Sequence, residues 1–370
     1  MVRKKTDKVY QWLLAYIDEH KFSSNLKLPS ENAVRQRLQV GRETVRAALE
    51  QLQSEGLIYK VRGSGTYIKK ETALTRNLDT GSAACKIGLI LQGQDSSANS
   101  NLIDGIVDGL KHTFPEKKTD LNIFLTDNKF SNERRCLQTV INQDFQGFII
   151  DGVKASLLNP NLDCYQDIYE KRIPVIFYNN YYKEVPYPKV IVDDIRCADQ
   201  LVHLLVSAGH RKIAGIFVYD NYQSVEKFQG MVKALRKYHV EFQDDYVKWC
   251  VSNEAHDEKF VKTVDRFLKG LPQCTAIICC NYIIYRLVRK ALQQRGKRIP
   301  EDYSLVCFDY SGEAWEEEGI TCSISQGYQT GWKLAENLMK MIERKDCSGA
   351  RYSCVMEPKI YIGRSVKTIL

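Results

Sequence analysis

The feature that most limits the possible folds is a change of hydrophobic periodicity near Lys86. After this residue, short apolar runs typical of buried strands alternate with amphipathic stretches typical of helices. The predicted strands are 87–91, 121–126, 147–151, 175–178, 212–218, 276–279 and 304–308. The predicted helices are 102–113, 132–142, 165–171, 196–207, 223–238, 258–269 and 282–294. Alternation of this kind predicts an α/β domain with parallel sheets and helices on both faces.

Polar residues follow several of these predicted strands. In parallel sheets, ligands bind beyond the carboxyl ends of the strands. The candidates at such places are Asp151, Lys154, Asn179, Asn180, Asp193, Asp194, Asp220, Asn281 and Asp309. The chain has no glycine-rich phosphate fingerprint, no GxSxG elbow and no HExxH motif. The pair Asp193-Asp194 could act as an acid and a base, but an Asp pair at the end of a strand is more often a helix cap plus a ligand contact. We therefore expect a binding domain without catalytic residues.

The first seventy residues predict three helices. Apolar residues from Val9 to Ile17 recur at three- and four-residue intervals and indicate a first helix. Ser30 is a plausible N-cap for a second helix. The third begins near Gly41 and hides Val45 and two later leucines, so that its polar residues face solvent. Glu55-Gly56 is expected to end it.

Two short β-branched or aromatic runs follow these helices, at 57–61 and 66–68, joined by the turn 62–65. This pattern predicts a β-hairpin wing after a helix-turn-helix. Residues 1–70 hold 14 Lys and Arg against 7 Asp and Glu, so +7 of the chain's net charge of +8 lies there. A basic segment of this kind points to a polyanionic partner.

The order of helices and wing resembles the GntR family of bacterial regulators. The residues that carry the resemblance are 28–31, 44–46, 48–49, 52, 55–57 and 63–66. It implies DNA contacts from Lys4, Lys5, Ser30, Glu31, Arg42, Glu43, Thr44, Arg46, Arg62, Gly63, Ser64 and Gly65. Asn32 and Gly41 depart from it, since the family often has Arg and Ser there. A winged helix used for protein contact is the alternative, and the local charge argues against it.

The segment 71–85 is small and polar without sustained periodicity, which predicts a linker between a domain at 1–70 and a domain at 86–370. The twelve cysteines form no CxxC pair, and the chain starts without a signal peptide. We therefore expect reduced core cysteines in a cytoplasmic bacterial protein, near the nucleoid when bound to DNA. The scattered histidines predict no metal site, and no apolar run has the length of a membrane span.

The domain after Lys86 resembles the LacI/GalR effector domain, mainly through 192–194, 203–216 and 299–309. The resemblance implies two hinged lobes with a sugar between them and dimerisation along the side. Carried over by position, the effector contacts are Lys154, Asp193, Asp194, Lys227, Asn281, Asp309 and Gln326. Three positions depart from the family pattern, with Lys227 for Arg and with Tyr282 and Tyr310 for Asp. His210 is expected to be structural.

A GntR-type head on a LacI/GalR-type body resembles the arabinose-operon repressors. This resemblance implies a homodimer on a pseudo-palindromic operator, released by L-arabinose or another pentose, with no other cofactor. Within this class, an activator or a regulator with a different ligand remains open. From another class, the alternative is a sugar-binding or sugar-modifying protein with an incidental basic head.

Overall fold

The fold is taken from a computed structural model. It describes residues 6, 8–13, 16, 28–54, 58–61, 65–68, 73–76, 85–93, 96–113, 115, 118–255, 257, 259–271, 273–310, 318–347 and 349–369. The chain divides into two compact units: the first holds residues 1–74 and 93–96, and the second holds residues 75–92 and 97–370. The expected helix end at 55–56 and the wing turn at 62–64 lie outside the described residues.

The first unit contains a helix-turn-helix and a two-stranded wing. Residues 6, 8–13 and 16 are helical (α1). Helices α2 (Glu31–Leu38) and α3 (Arg42–Ser54) follow. Strands β1 (Ile58–Val61) and β2 (Gly65–Ile68) pair antiparallel. The predicted winged helix-turn-helix is therefore confirmed.

A small apolar core holds this unit together. Its buried members are Val9, Leu13, Leu28, Val34, Val45, Ala48, Leu49, Leu52 and Ile58. The four from α3 recur at helical spacing, so burying them turns the opposite face of α3 to solvent. Ser30 caps α2, because its Oγ accepts a hydrogen bond of 3.2 Å from the Ala33 amide.

The second unit has two lobes, each built on one sheet. Lobe 1 has seven strands: β3 (Ala73–Arg76), β4 (Cys85–Leu91), β5 (Thr119–Leu125), β6 (Gly147–Ile150), β7 (Val175–Tyr178), β8 (Lys189–Val192) and β14 (Cys354–Met356). Their order is β14-β8-β7-β6-β4-β5-β3. The pairings from β14 to β5 are parallel. Strand β3 and the first residue of β4 thus lie within the segment predicted as a linker.

Lobe 2 has six strands: β9 (Ile213–Val218), β10 (Val247–Cys250), β11 (Ala276–Cys279), β12 (Ser304–Tyr310), β13 (Thr321–Ile324) and β15 (Ile360–Tyr361). Their order is β10-β9-β11-β12-β13-β15, and only β15 is antiparallel to its neighbour. The predicted α/β domain with parallel sheets is confirmed.

Nine helices are described in this unit: α4 (Ser96–Thr113), α5 (Phe130–Ile141), α6 (Leu162–Glu170), α7 (Asp194–Ser207), α8 (Tyr222–Lys237), α9 (Ser252–Ala255), α10 (Phe260–Lys269), α11 (Tyr282–Gln294) and α12 (Gly327–Arg344). All seven predicted strands and all seven predicted helices are present. Sequence reasoning missed α9, α12, β3, β8, β10, β13, β14 and β15.

The sequence pattern did not predict α12, and the reason lies in how this helix packs. Glycines lower helix propensity, and α12 contains Gly327 and Gly331. A Cβ at Gly331 would lie 2.2 Å from the Leu102 carbonyl oxygen, and one at Gly105 of α4 would lie 2.0 Å from the Tyr328 carbonyl oxygen. The glycines are needed where α4 and α12 make close contact, which local propensity does not report.

Three chain segments cross between the lobes, after β8, after β13 and after β14. They bind one another at the crossing. The Asp193 amide donates to the Met356 carbonyl at 2.9 Å, and the Gln326 side chain donates to the Glu357 carbonyl at 2.7 Å. An Arg196–Glu357 ion pair joins the same segments. The crossing is therefore a connected hinge.

Most cysteines lie in the core of the second unit. Nine of the twelve cysteines are buried. Burial raises the pKa of the Cys280 thiol to about 11, so this thiol stays protonated at neutral pH. Among the described residues, no helix is long and apolar enough to span a membrane, and no cluster of potential metal ligands is found.

Candidate DNA-binding surface and effector cleft

The first turns of α3 form the candidate DNA-binding surface. The Arg42 and Arg46 side chains are 60% and 42% exposed. Both lie near Glu31 of α2, with guanidinium Nε atoms 3.7 and 3.3 Å from its Oε2. A second ion pair joins Arg46 to Glu43 at 3.9 Å. These contacts place two guanidinium groups side by side on one face.

The ion pairs at this surface are weak and exchangeable. Pairs between exposed side chains contribute about 0–1 kcal/mol, because water screens them. Guanidinium groups also bind phosphate and base edges through two parallel hydrogen bonds. Glu31 can therefore hold Arg42 and Arg46 in place until a nucleic acid takes over as their partner.

The remaining predicted DNA-binding residues have different positions. Ser30 serves as the cap of α2, and Thr44 is half-buried on α3. Gly65 begins β2 with φ +139°, a backbone conformation that glycine adopts without strain. Lys4, Lys5, Arg62, Gly63 and Ser64 lie outside the described residues.

The candidate effector cleft lies between the lobes of the second unit. The carboxyl ends of their parallel strands meet there, as direct contacts show. The Asn180 side-chain oxygen, after β7, accepts the Tyr222 and Gln223 amides at 3.1 and 3.4 Å. The Ser156 hydroxyl of lobe 1 donates to the Tyr219 carbonyl of lobe 2.

Lys227 of α8 is the centre of a buried charge cluster beside this cleft. It is 2% exposed and bonds Asp309 at the end of β12, while its Nζ lies 3.9 Å from Asp194 Oδ1. Its Nζ also donates to the Cys280 carbonyl at 3.3 Å. Three of the predicted effector residues, distant in sequence, are thus brought together.

One ammonium group faces two carboxylates in this cluster. Burial opposes the charged form of Lys227, but Asp309 and Asp194 outweigh it and raise the pKa of Lys227. Burial raises the pKa of Asp194 well above its usual value, despite the nearby ammonium. The two carboxylates thus favour the charged form of Lys227, and burial biases Asp194 towards its neutral form.

The other four predicted effector residues have different roles. Asp193 and Asn281 cap α7 and α11, accepting the Arg196 and Ile284 amides at 2.9 Å each. Gln326 lies at the hinge, as predicted. Lys154 belongs to lobe 1, and it has a left-handed φ of +42°.

Sequence reasoning left Asp151 and Asn180 out of the final effector set, although both had been candidates as strand-end residues. The Asn180 backbone and side-chain nitrogens donate to Asp151 Oδ1 at 3.3 and 2.9 Å. Burial raises the pKa of Asp151 to about 7, although these bonds favour its charged form. Because Asn180 also binds the start of α8, Asp151 is connected to both lobes.

The two tyrosines that replace family aspartates pack against each other. The Tyr282 and Tyr310 rings meet edge to face, with centroids 4.5 Å apart. Tyr310 is buried, and the Tyr282 hydroxyl donates to Glu318 Oε1 at 3.1 Å. An aromatic pair therefore lies next in sequence to Asn281 and Asp309.

The chain joins a winged helix-turn-helix to a two-lobed α/β domain, and each part is similar to domains of known regulatory or binding proteins. Residues 5–68 match the GntR family of bacterial regulatory proteins, and residues 202–366 match the periplasmic binding protein-like domain. The transcription regulator CcpA of Lactococcus lactis shares the fold, with a TM-score of 0.65 and 19% identity, over 77% of this chain and 100% of that one.

Two curated relatives extend over both domains. The arabinose metabolism transcriptional repressor of Geobacillus stearothermophilus is 28% identical over 365 residues, covering 97% of this chain and 96% of that protein. The protein of the same name from Halalkalibacterium halodurans is 28% identical over 345 residues, covering 92% of this chain and 90% of that protein. The chain is thus similar to arabinose metabolism repressors along nearly its whole length.

Proposed function

We propose that this protein is a sugar-responsive repressor that binds operator DNA through α3 and the wing and binds a monosaccharide between its lobes. The observation that carries this proposal is the charged cluster at the cleft, Lys227 with Asp309 and Asp194. Each sugar hydroxyl needs a donor and an acceptor, and ammonium and carboxylate groups supply them. L-Arabinose is the first choice of sugar because the relatives that cover both domains are arabinose metabolism repressors.

The effector must favour the form of the protein that does not bind DNA. A ligand shifts a conformational equilibrium only by its difference in affinity for the two states, and coupling of about 1–3 kcal/mol is typical. Contacts across the cleft, such as Asn180 to the start of α8, respond to lobe closure. In a homodimer on a pseudo-palindromic operator, closure in each protomer changes the spacing of the two heads.

The DNA arm of the test replaces Arg42 and Arg46 with Ala together. We expect weaker operator binding. The plot of log binding constant against log salt concentration should become less steep by about two, because each lost phosphate contact lowers the magnitude of this slope by roughly one. The matched control is Arg236→Ala with Arg344→Ala, which removes the same charge from exposed helix ends in the second unit. DNA affinity equal in the two double variants would contradict the proposed surface.

The sugar arm measures thermal stability and operator affinity with a panel of pentoses and hexoses. We expect L-arabinose to stabilise the protein and to weaken DNA binding. A ligand present at 100 times its Kd raises the free energy of unfolding by about 2.7 kcal/mol. If another sugar does both, the pentose assignment is wrong and the regulator remains. Turnover of a sugar without any effect on DNA binding would favour the rival sugar-modifying protein.

A further inference from the structure

A buried carboxylate in lobe 1 has no place in the effector site described above. Glu133, near the start of α5, is 0% exposed. No Lys or Arg in the described part of the chain is within ion-pair distance of it. A buried carboxylate without a cation is costly unless hydrogen bonds satisfy its oxygens.

Four buried side chains satisfy Glu133. The Asn159 and Asn161 amides each donate to Oε2 at 2.8 Å. The Tyr165 and Tyr182 hydroxyls donate to Oε1 at 2.9 and 2.6 Å. The donors come from the loop before α6, from α6 and from the segment after β7, so one side chain joins three parts of lobe 1.

These bonds anchor the 152–161 loop, which carries Lys154. At its far end the loop is held by Asn159 and Asn161. At its near end, the Tyr182 hydroxyl contacts the Val153 carbonyl at 2.9 Å, next to Lys154. The Lys154 amide donates to the Asn128 side chain at 3.1 Å.

The geometry of Lys154 needs such an anchor. Its φ of +42° lies in the left-handed region, which is unfavourable for a non-glycine residue and persists only where the surroundings hold it. From the same loop, Ser156 bonds Tyr219 of lobe 2. The loop therefore carries Lys154, whose Nζ lies 5.8 Å from the Phe130 ring centroid, and takes part in lobe contact.

We propose that Glu133 is a positioning residue for effector binding, which acts by fixing the 152–161 loop and with it Lys154 and the Ser156 contact. This inference rests on the proposed function, since it assigns Lys154 to the sugar. The ligand class is unchanged, and Glu133 itself does not touch the ligand.

The test is a double-mutant cycle in the full-length protein. Glu133→Ala removes the acceptor that four buried donors share, and we expect L-arabinose affinity to fall about tenfold or more. In a Lys154→Ala background, the loss caused by Glu133→Ala should largely disappear, because coupled residues are not additive. The control Glu170→Ala, on the exposed side of α6, should change the affinity by less than about twofold.

Amide hydrogen exchange separates this inference from the choice of sugar. In sugar-free protein, Glu133→Ala should increase exchange at the amides of Lys154 and Leu157, and Glu170→Ala should not. If the wild-type protein binds no sugar, the proposed effector is wrong, and the exchange result still decides whether Glu133 fixes the loop.

A milder variant covers the case in which Glu133→Ala does not fold. Tyr182→Phe removes only the hydroxyl that contacts Glu133 and Val153, and we expect it to show the same changes to a smaller degree. Equal affinity losses with and without Lys154, or unchanged exchange in the loop, would overturn the inference and leave Glu133 a purely structural residue.

Discussion

Replacing Lys227 with Met is the sharpest test of the buried charge cluster. Met keeps much of the length of the side chain and removes only the ammonium group. The Asp194 and Asp309 carboxyls, with side chains 3% and 28% exposed, then lose their cation. The Cys280 carbonyl also loses a donor.

We expect a loss of about 3 kcal/mol in the free energy of unfolding. Breaking a buried ion pair by removing one partner costs about 3–5 kcal/mol. The lower end applies because water reaches Asp309 and because Asp194 is already biased towards its neutral form by burial, which raises its pKa. Urea denaturation of the full chain, followed by circular dichroism, measures the difference.

The sign of the pH dependence provides a second check. A carboxyl whose folded-state pKa is raised contributes stability below its unfolded pKa, and this stability is lost as the pH rises through the folded pKa. Removal of Lys227 raises the pKa of Asp194 further, since the ammonium lowers it. The deficit of the Met variant should therefore shrink as the pH falls.

Lys237→Met is the matched control, because Lys237 lies on the same helix and pairs with Asp199 at 2.8 Å on the surface. Exposed pairs contribute little to stability, so this variant should unfold almost as the wild type does. A Lys227 variant that is no less stable than the Lys237 variant, or whose deficit does not change with pH, would refute the proposed charge cluster.

Two other perturbations test the packing. Gly331→Ala places a Cβ 2.2 Å from the Leu102 carbonyl oxygen, and we expect α4 and α12 to be forced apart at a cost of about 1–3 kcal/mol, seen as a lower thermal midpoint. The control is Gly41→Ser, because the atom nearest to a Cβ at this position would be 3.9 Å away. The serine hydroxyl can cap the helix and should add about a few tenths of a kcal/mol. Equal thermal midpoints for the two variants would argue against the close contact between α4 and α12. Burial lowers the pKa of His210, whose ring contacts Thr275 Oγ1 at 2.8 Å and the Lys367 carbonyl at 3.1 Å. Its neutral form therefore contributes stability above pH about 6.5, and this stability is lost as the pH falls towards the folded-state pKa. We expect His210→Gln to remove this part of the acid dependence of the free energy of unfolding, measured by denaturation at several pH values. An unchanged acid dependence would contradict the assignment.

The sequence by itself determined the features that depend on local order. The apolar spacing of Val45, Leu49 and Leu52 places Arg42 and Arg46 on the exposed side of α3, because helical periodicity requires it. Seven strands and seven helices of the second unit were predicted for the same reason. A helix whose glycines serve a long-range contact, such as α12, does not carry that local signal.

Only the tertiary structure decided which polar residues meet. Lys227 and Asp309 are 82 positions apart and bond directly, whereas Asp193, next to Asp194, caps a helix. The Glu133 network joins residues up to 49 positions away, and no pattern of spacing announced it. The physical reason is that hydrophobic periodicity fixes which face of an element is buried, while the pairing of buried charges depends on how distant elements pack.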